Sequence, residues 1–331
     1  MLNLPAVLAL LIAAGLAAIP GPAGAQQIRM RFGHDQPVGS MYDEGHAMLR
    51  KLLQERAGGR VRVDIFPAAQ LGSEVTMIKG VRLGSLDGSV AHVANAATVV
   101  PELALFSVSY LFQDREHYER VLNDPRFRQR IDRLVASKNL GLRLIGFYSA
   151  GVRTLYTRRG PAYTPDELKG TKIRVMNNPV EARIWQALGT IPTPMNFGEV
   201  YQALQSGVLD AAENAPSVIE SNRHYEAAKT LILTEHQRSI CLLLINEKKF
   251  SSLSPELQQT LLDAAAQAAA YERKRDLELN SEAVARMQAR GAQIVTPDRA
   301  KFVARIVPIQ DQVARDLKMT DVLELIRGHA R

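Results

Sequence analysis

The chain has 331 residues, a formal charge of +7 and one cysteine. A single cysteine excludes an internal disulfide framework and a cysteine-rich metal site. The basic residues are dispersed, and their densest group, Arg126, Arg128, Arg130 and Arg133, is mixed with Asp124 and Asp132 without interleaved aromatics. That pattern excludes a nucleic-acid-binding stripe and describes a solvated surface with a modest field that attracts anions.

In chain order, Met1 to Ala25 holds no Asp, Glu, Lys or Arg. Its apolar run, Ala6 to Ile19, is about 14 residues long, short of the roughly 20 that span a bilayer. Ala23-Gly24-Ala25 then offers the small side chains a signal peptidase accepts. The expectation is a secretory signal cleaved after Ala25, a periplasmic protein and no stable membrane insertion, although the terminal amine is the only positive charge at the start. No later stretch is apolar for 18 residues. The remaining chain of about 306 residues is long enough for two domains with separate cores.

Ile28, Met30 and Phe32 alternate with Arg29 and Arg31 as in a half-buried strand. A helix is expected from Met41 to Ala57, closed by Gly58-Gly59. Val61, Val63 and Ile65 mark a second strand, Ser73 caps a helix ending near Gly84, and Gly88 to Ala94 reads as a third strand. This alternation predicts a mostly parallel sheet covered by helices. Asp124-Pro125, Thr164-Pro165 and Asn178-Pro179 are cap-plus-proline helix starts. Strands are expected at Leu142 to Ile145, at Lys172 to Val175, ending at Asn214, and around the buried Cys241. Helices after Asn178 and from about Phe197 stop near Gly189 and Gly207. Ser254 caps a last segment with no Gly or Pro between Glu256 and Arg290. About 35 helical residues span roughly 50 Å, whereas a lobe of about 130 residues is only about 30 Å across. Such a helix lies along two lobes, kinks, or is two helices.

The familiar catalytic patterns are missing: no HExxH, no GxSxG elbow, no GxxxxGK[ST] loop, and no GxGxxG after the first strand. A triad built from distant residues leaves no such trace, so an enzyme on this scaffold remains a rival reading. What the sequence does offer is a binding constellation. Arg174 lies near the carboxyl end of its strand, just before a helix N-terminus, where open α/β sheets bind ligands. A guanidinium there grips a carboxylate through two parallel bonds, and the helix start after Asn178 also favours an anion. By spacing alone a surface arginine is the alternative. Arg153 follows Gly151 at an expected turn between lobes, and Asn214 offers an amide.

These segments, taken in order, resemble the extracytoplasmic receptors of tripartite ATP-independent periplasmic (TRAP) transporters, of the DctP type. The resemblance rests on Phe66-Pro67 with Gln70-Leu71-Gly72, Tyr110-Leu111-Phe112, Gly151-Val152-Arg153, the run Thr164 to Gly170, Lys172-Ile173-Arg174-Val175-Met176-Asn177, Thr193-Pro194-Met195, and the run Glu199 to Asp210 followed by Glu213-Asn214. It implies an α/β, two-lobed periplasmic-binding-protein-like fold with one long helix spanning both lobes. The corresponding division is 26–150 plus about 237–278 for the first lobe, and 151–236 plus about 279–331 for the second. It further implies that Arg174 grips a substrate carboxylate, that Arg153 lines the same pocket, that Glu213, Asn214 and Phe197 contact the ligand, and that Asp35 and His92 face the cleft. Asn177, in the same run as Arg174, completes the candidate set. Two departures stand out. Relatives read D-G-Q-E-N-P where Pro216 here falls one residue later, and His92 stands where sialic-acid receptors carry a carboxylate. The second argues against sialic acid; a core histidine bonded to backbone is the other reading of His92.

The resemblance implies a receptor for a small organic acid, with a uronate or aldonate leading and an aromatic or 2-hydroxy acid next. It would need no cofactor or metal and would hand its ligand to the small and large TRAP membrane subunits. A receptor feeding a sensor kinase or another transporter class is a further rival.

Overall fold

A computed structural model describes residues 27–330; the expected signal and its cleavage after Ala25 lie outside the described residues. In chain order the strands are β1 (Ile28–Gly33), β2 (Val61–Phe66), β3 (Gly88–His92), β4 (Leu142–Tyr148), β5 (Val152–Thr157), β6 (Lys172–Val175), β7 (Ile191–Pro194), β8 (Ala211–Asn214), β9 (Thr230–Arg238), β10 (Cys241–Asn246) and β11 (Gln293–Val295). They form two sheets, one in each lobe, ordered β2-β1-β3-β10-β4 and β11-β9-β5-β8-β6-β7.

The first sheet is parallel where consecutive β-α-β units build it, β1 pairing with β2 and β3. It departs from the mostly parallel expectation at β10, which runs antiparallel to both β3 and β4. The reason is connectivity. β10 arrives directly from β9 in the other lobe, so it enters the sheet from the cleft side with no crossover helix to reverse it. β5 enters the second sheet in the same way from β4, and is antiparallel to β8 and β9.

Two smaller expectations change. β3 stops at His92, which caps the short helix Val93–Ala96 with its ring. Thr164-Pro165 opens only the single 3₁₀ turn Pro165–Leu168, because the chain must reverse at Gly170, whose φ is +73°.

The helices follow their sequence signals closely. Helix α1 (Met41–Arg56) starts at Ser40, whose side chain accepts from the Asp43 N–H. Helix α2 (Glu74–Leu83) starts at Ser73 and ends at Gly84 in the left-handed region. The long helix is continuous over Pro255–Ala289, 35 residues, or about 52 Å. Its N-terminal half packs Leu257, Leu261 and a run of alanines into the first lobe, while Ala283 and Met287 join the core of the second. Small residues bring it close to β4: a Cβ on Gly146 would sit 3.5 Å from the Ala265 carbonyl oxygen. The C-terminal helices touch both lobes, through Arg130 to Asp321 at 2.8 Å and Arg183 to Asp316 at 3.0 Å.

The lobes are joined where β4 passes into β5 through Ser149-Ala150-Gly151 and β9 passes into β10 through Ser239-Ile240, the two crossings being hydrogen-bonded from Ser239 N–H to the Gly151 carbonyl. The long helix pins this junction: Glu272 accepts from the Ser149 N–H at 2.9 Å and Asp276 from its hydroxyl at 2.8 Å. Gly151 has φ +69°, and a Cβ there would lie 2.6 Å from the Asn280 amide nitrogen and 2.7 Å from the Ala215 Cβ. Gly151→Ala is therefore expected to cost about 1–3 kcal/mol through overpacking at a left-handed backbone position. Thermal unfolding checks this, and an unchanged midpoint would contradict it.

Candidate functional site

Between the lobes lies a cleft with two adjoining chambers. The inner one, of about 30 Å³, is lined by Asp35, Glu74, His92, Arg153, Arg174 and Asn214 among others. The outer one, of about 270 Å³, adds Asn177, Asn196, Tyr201, Asn222 and His224. Asp35, Glu74, Asn95 and Phe197 border both.

Arg174 is third in β6, between Ile173 and Val175, both fully buried. Alternation along the strand sends those two into the core and the arginine to the opposite face. Only 2% of Arg174 is exposed. Its Nε donates to the Met195 carbonyl at 2.9 Å, and its guanidinium carbon lies 6.0 Å from the Phe197 ring centre. Among the described residues its two Nη groups make no hydrogen bond and it joins no ion pair. Burial pulls its pKa down, partly offset by Glu213, yet a guanidinium stays charged in a protein. The inner chamber thus contains a desolvated cation with most of its donors unused.

Arg153 is different. It lies within β5, not in a turn, and is 2% exposed. Its Nε and Nη2 grip the Glu213 carboxylate at 2.5 and 2.7 Å, Nη2 also reaches the Glu213 carbonyl, and Nη1 donates to Asn214 Oδ1 at 3.0 Å. His236 adds a third contact to Glu213 at 3.2 Å and is itself held by Thr234. Burial alone would raise the Glu213 pKa, but Arg153 and His236 outweigh it and hold the carboxyl at about 2. Glu213 is thus not among the cleft-lining residues. It stands behind Arg153 with both oxygens occupied by Arg153 and His236. Asn214 Oδ1 accepts from Arg153 and from the Ala215 N–H, an arrangement that leaves its Nδ2 group to donate.

The opposite wall comes from the first lobe. Asp35 follows β1, and His92 ends β3. The His92 Nδ1 accepts from the Ala94 N–H at 3.1 Å, so the proton of the neutral ring resides on Nε2, which is buried without a partner. Burial, then Arg153, keeps this ring's pKa well below the usual histidine value. Both readings of His92 therefore meet in one ring: one nitrogen caps the backbone, and the other is an unsatisfied donor on a residue lining the inner chamber.

Of the candidates, the fold brings Arg174, Arg153, Asn214, Phe197, Asp35 and His92 around the inner chamber and places Asn177 on the outer one. Sequence reasoning missed Glu74, Asn95, Tyr201 and His224. Glu74 is 6% exposed, and its Oε2 accepts from the His92 N–H at 3.1 Å and from Asn95 at 2.7 Å. The signal for it was present but ambiguous, since an acid directly after a capping serine is also ordinary helix-start chemistry. His224 stacks 5.2 Å from Phe197 and 6.2 Å from Tyr201, in a four-residue helix too short for periodicity to reveal.

The model of bacterial extracellular solute-binding protein family 7, DctP, matches residues 32–316. The chain belongs to this family. Among relatives of this DctP chain, the 2,3-diketo-L-gulonate-binding periplasmic protein YiaO of Escherichia coli K12 is 35% identical over 296 residues, 88% of each chain. A TRAP periplasmic solute-binding protein from Sulfitobacter sp. NAS-14.1, solved with bound β-D-galacturonate, superposes with a TM-score of 0.86 at 28% identity, covering 91% of this chain and 99% of the other. Another from Roseobacter denitrificans, solved with β-D-glucuronate, gives 0.85 at 30% identity, covering 90% and 98%. The two-lobed DctP fold with its long helix is the architecture described above, and these relatives are solute-binding receptors. Among the described residues of the DctP chain no helix is long and apolar enough to cross a membrane, and no cluster of three His, Cys, Asp or Glu is arranged to hold a metal.

Proposed function

We propose that this DctP-family receptor binds a sugar acid, a uronate above all, through its carboxylate at Arg174, and delivers it to the small and large membrane subunits of a TRAP transporter from the periplasm. The observation that carries this reading is the Arg174 guanidinium, buried and with one hydrogen bond, on the inner chamber of the cleft. A buried charge without a partner is costly, and a ligand carboxylate supplies the missing one. His92 Nε2 and Asn214 Nδ2 are further donors at the same end. Arg153, locked to Glu213, serves as a fixed wall and positions Asn214.

The rest of the ligand faces Asp35 and Glu74, which accept from hydroxyls, and the amides of Asn95, Asn177 and Asn196. Phe197, Tyr201 and His224 offer an apolar wall to the C–H face of a sugar ring. A polyhydroxylated acid uses all of these groups; an aromatic acid would leave the carboxylates and amides unpaired. Binding would close the lobes about the two crossings, a motion that Asn222 assists by donating to Gln36 across the cleft mouth at 3.1 Å.

Isothermal titration with D-glucuronate and D-galacturonate tests the reading. A dissociation constant of ~1 µM or tighter, equivalent to about −8 kcal/mol, is expected for at least one. No heat from either uronate, with tight binding of benzoate or lactate instead, would overturn it.

A further inference from the structure

The cleft holds one more feature that sugar-acid binding alone does not explain. Asp35 and Glu74 border the same chambers, yet among the described residues neither makes an ion pair. The Glu74 contacts are the two N–H groups named above, both on Oε2, and Asp35 Oδ1 accepts only from the Gln36 amide at 3.0 Å. Resting on the sugar-acid reading, we propose that the receptor takes up its ligand together with a proton, held on the Asp35–Glu74 carboxylate pair while the ligand anion lies beside it.

Arg153 and Glu213 cancel. His92 and His224 are neutral, each depressed first by burial and then by an arginine, and His236 is likewise lowered by burial. Tyr42 from α1 and Cys241 from β10 are both raised, first by burial, and so are uncharged as well. Glu181, 3% exposed and acting on both arginines, is raised by burial and then by Glu213 to about 8, so below that value it too is neutral. What remains there is the Arg174 cation facing the Asp35 and Glu74 carboxylates. With both ionised the empty cleft is net negative and repels the anion it must bind; each proton added to the pair removes one unit of that repulsion. Two like charges in one desolvated cleft do not both ionise readily. In keeping with this, burial and then Asp35 raise the Glu74 pKa to about 8, and burial raises that of Asp35. The ligand carboxylate adds a further negative charge and pushes the pair higher, so the complex binds more protons than the empty receptor. The protons come from solvent, and the uronate itself stays ionised throughout this range.

The sign follows from linkage. Affinity is full below the Glu74 value in the ligand-free receptor, about 8, and falls as pH rises above it, by about tenfold per pH unit while one proton is taken up per ligand. The experiment is calorimetry of D-glucuronate binding from pH 6 to 9.5, repeated at pH 8.5 in two buffers of different ionisation enthalpy. The expected result is flat affinity up to about 8, a decline above it, and buffer-dependent heats that report proton uptake. In Glu74→Gln, whose amide cannot titrate, the decline and the buffer dependence disappear even if overall affinity changes. Binding by the unaltered receptor with buffer-independent heat and no pH dependence would overturn the proton linkage while leaving the sugar-acid reading intact. The same proton uptake in Glu74→Gln would overturn the assignment to this pair. Absence of glucuronate binding at every pH would sink the sugar-acid reading and this inference with it.

Discussion

Replacing Arg174 with alanine is expected to weaken uronate binding by about 2–5 kcal/mol, roughly 30-fold to several thousand-fold in dissociation constant. The size follows from burial. The ligand carboxylate would be stripped of water in a chamber that had lost the Arg174 cation, with Arg153 already paired to Glu213, while His92 Nε2 and Asn214 Nδ2 could supply only neutral hydrogen bonds. Arg174→Lys is expected to recover only part of the loss. An ammonium has no planar fork, and its shorter reach cannot both hold the Met195 carbonyl, as Nε now does at 2.9 Å, and present two donors to the ligand. Because Arg174 makes no ion pair among the described residues, its removal should leave the fold intact, so a circular dichroism spectrum like that of the unaltered protein is part of the expectation. Calorimetric titration of both variants decides it; near-native affinity in Arg174→Ala would discard the assignment.

The second large effect is expected from Glu213→Gln, and on stability before affinity. Glu213 is 1% exposed and, among the described residues, is the carboxylate paired with the buried Arg153. Removing its charge leaves a desolvated guanidinium without compensation, at a cost of about 3–5 kcal/mol, and also loosens the His236 ring. Urea unfolding of the empty receptor should show the second lobe melting at lower denaturant; a change under about 1 kcal/mol would show the pair to be energetically idle. The same pair sets an acid limit. The folded-state value of about 2 lies below the ordinary 4.5. The stabilisation is therefore fully present above 4.5 and is lost as pH falls through that window towards 2.

Much of the architecture was legible because local signals agreed with the global fold. Ser73, Asn178 and Ser254 each cap the helix their position announces, accepting a backbone N–H from the first turn. The length of the glycine-free segment after Pro255 pointed to a helix along both lobes, a kink or two helices, and the structure shows one continuous helix. Strand direction was not legible. Nothing in Cys241 to Ile245 says that this run enters its sheet antiparallel, because direction depends on which lobe the preceding strand occupies. The candidate site was legible in part, Asp35 and His92 of the first lobe only through the family resemblance. Arg174, Arg153 and Asn214 stand in strands with clear patterns, whereas Glu74 and His224 reach the cleft through tertiary placement that no spacing encodes. A carboxylate beside a binding residue looks the same in sequence whether it faces a ligand or an arginine, and for Glu213 only the tertiary contacts with Arg153 and His236 show its pairing.

The central claim is that Arg174 waits in the cleft for a ligand carboxylate, and a crystal structure of the receptor with D-glucuronate tests it most directly. The account predicts the carboxylate in the inner chamber, accepting two parallel hydrogen bonds from the Arg174 guanidinium, with His92 Nε2 or Asn214 Nδ2 on the same group and the sugar hydroxyls turned towards Asp35 and Glu74. A uronate bound with its carboxylate in the outer chamber, and no anion within hydrogen-bond distance of Arg174, would contradict it.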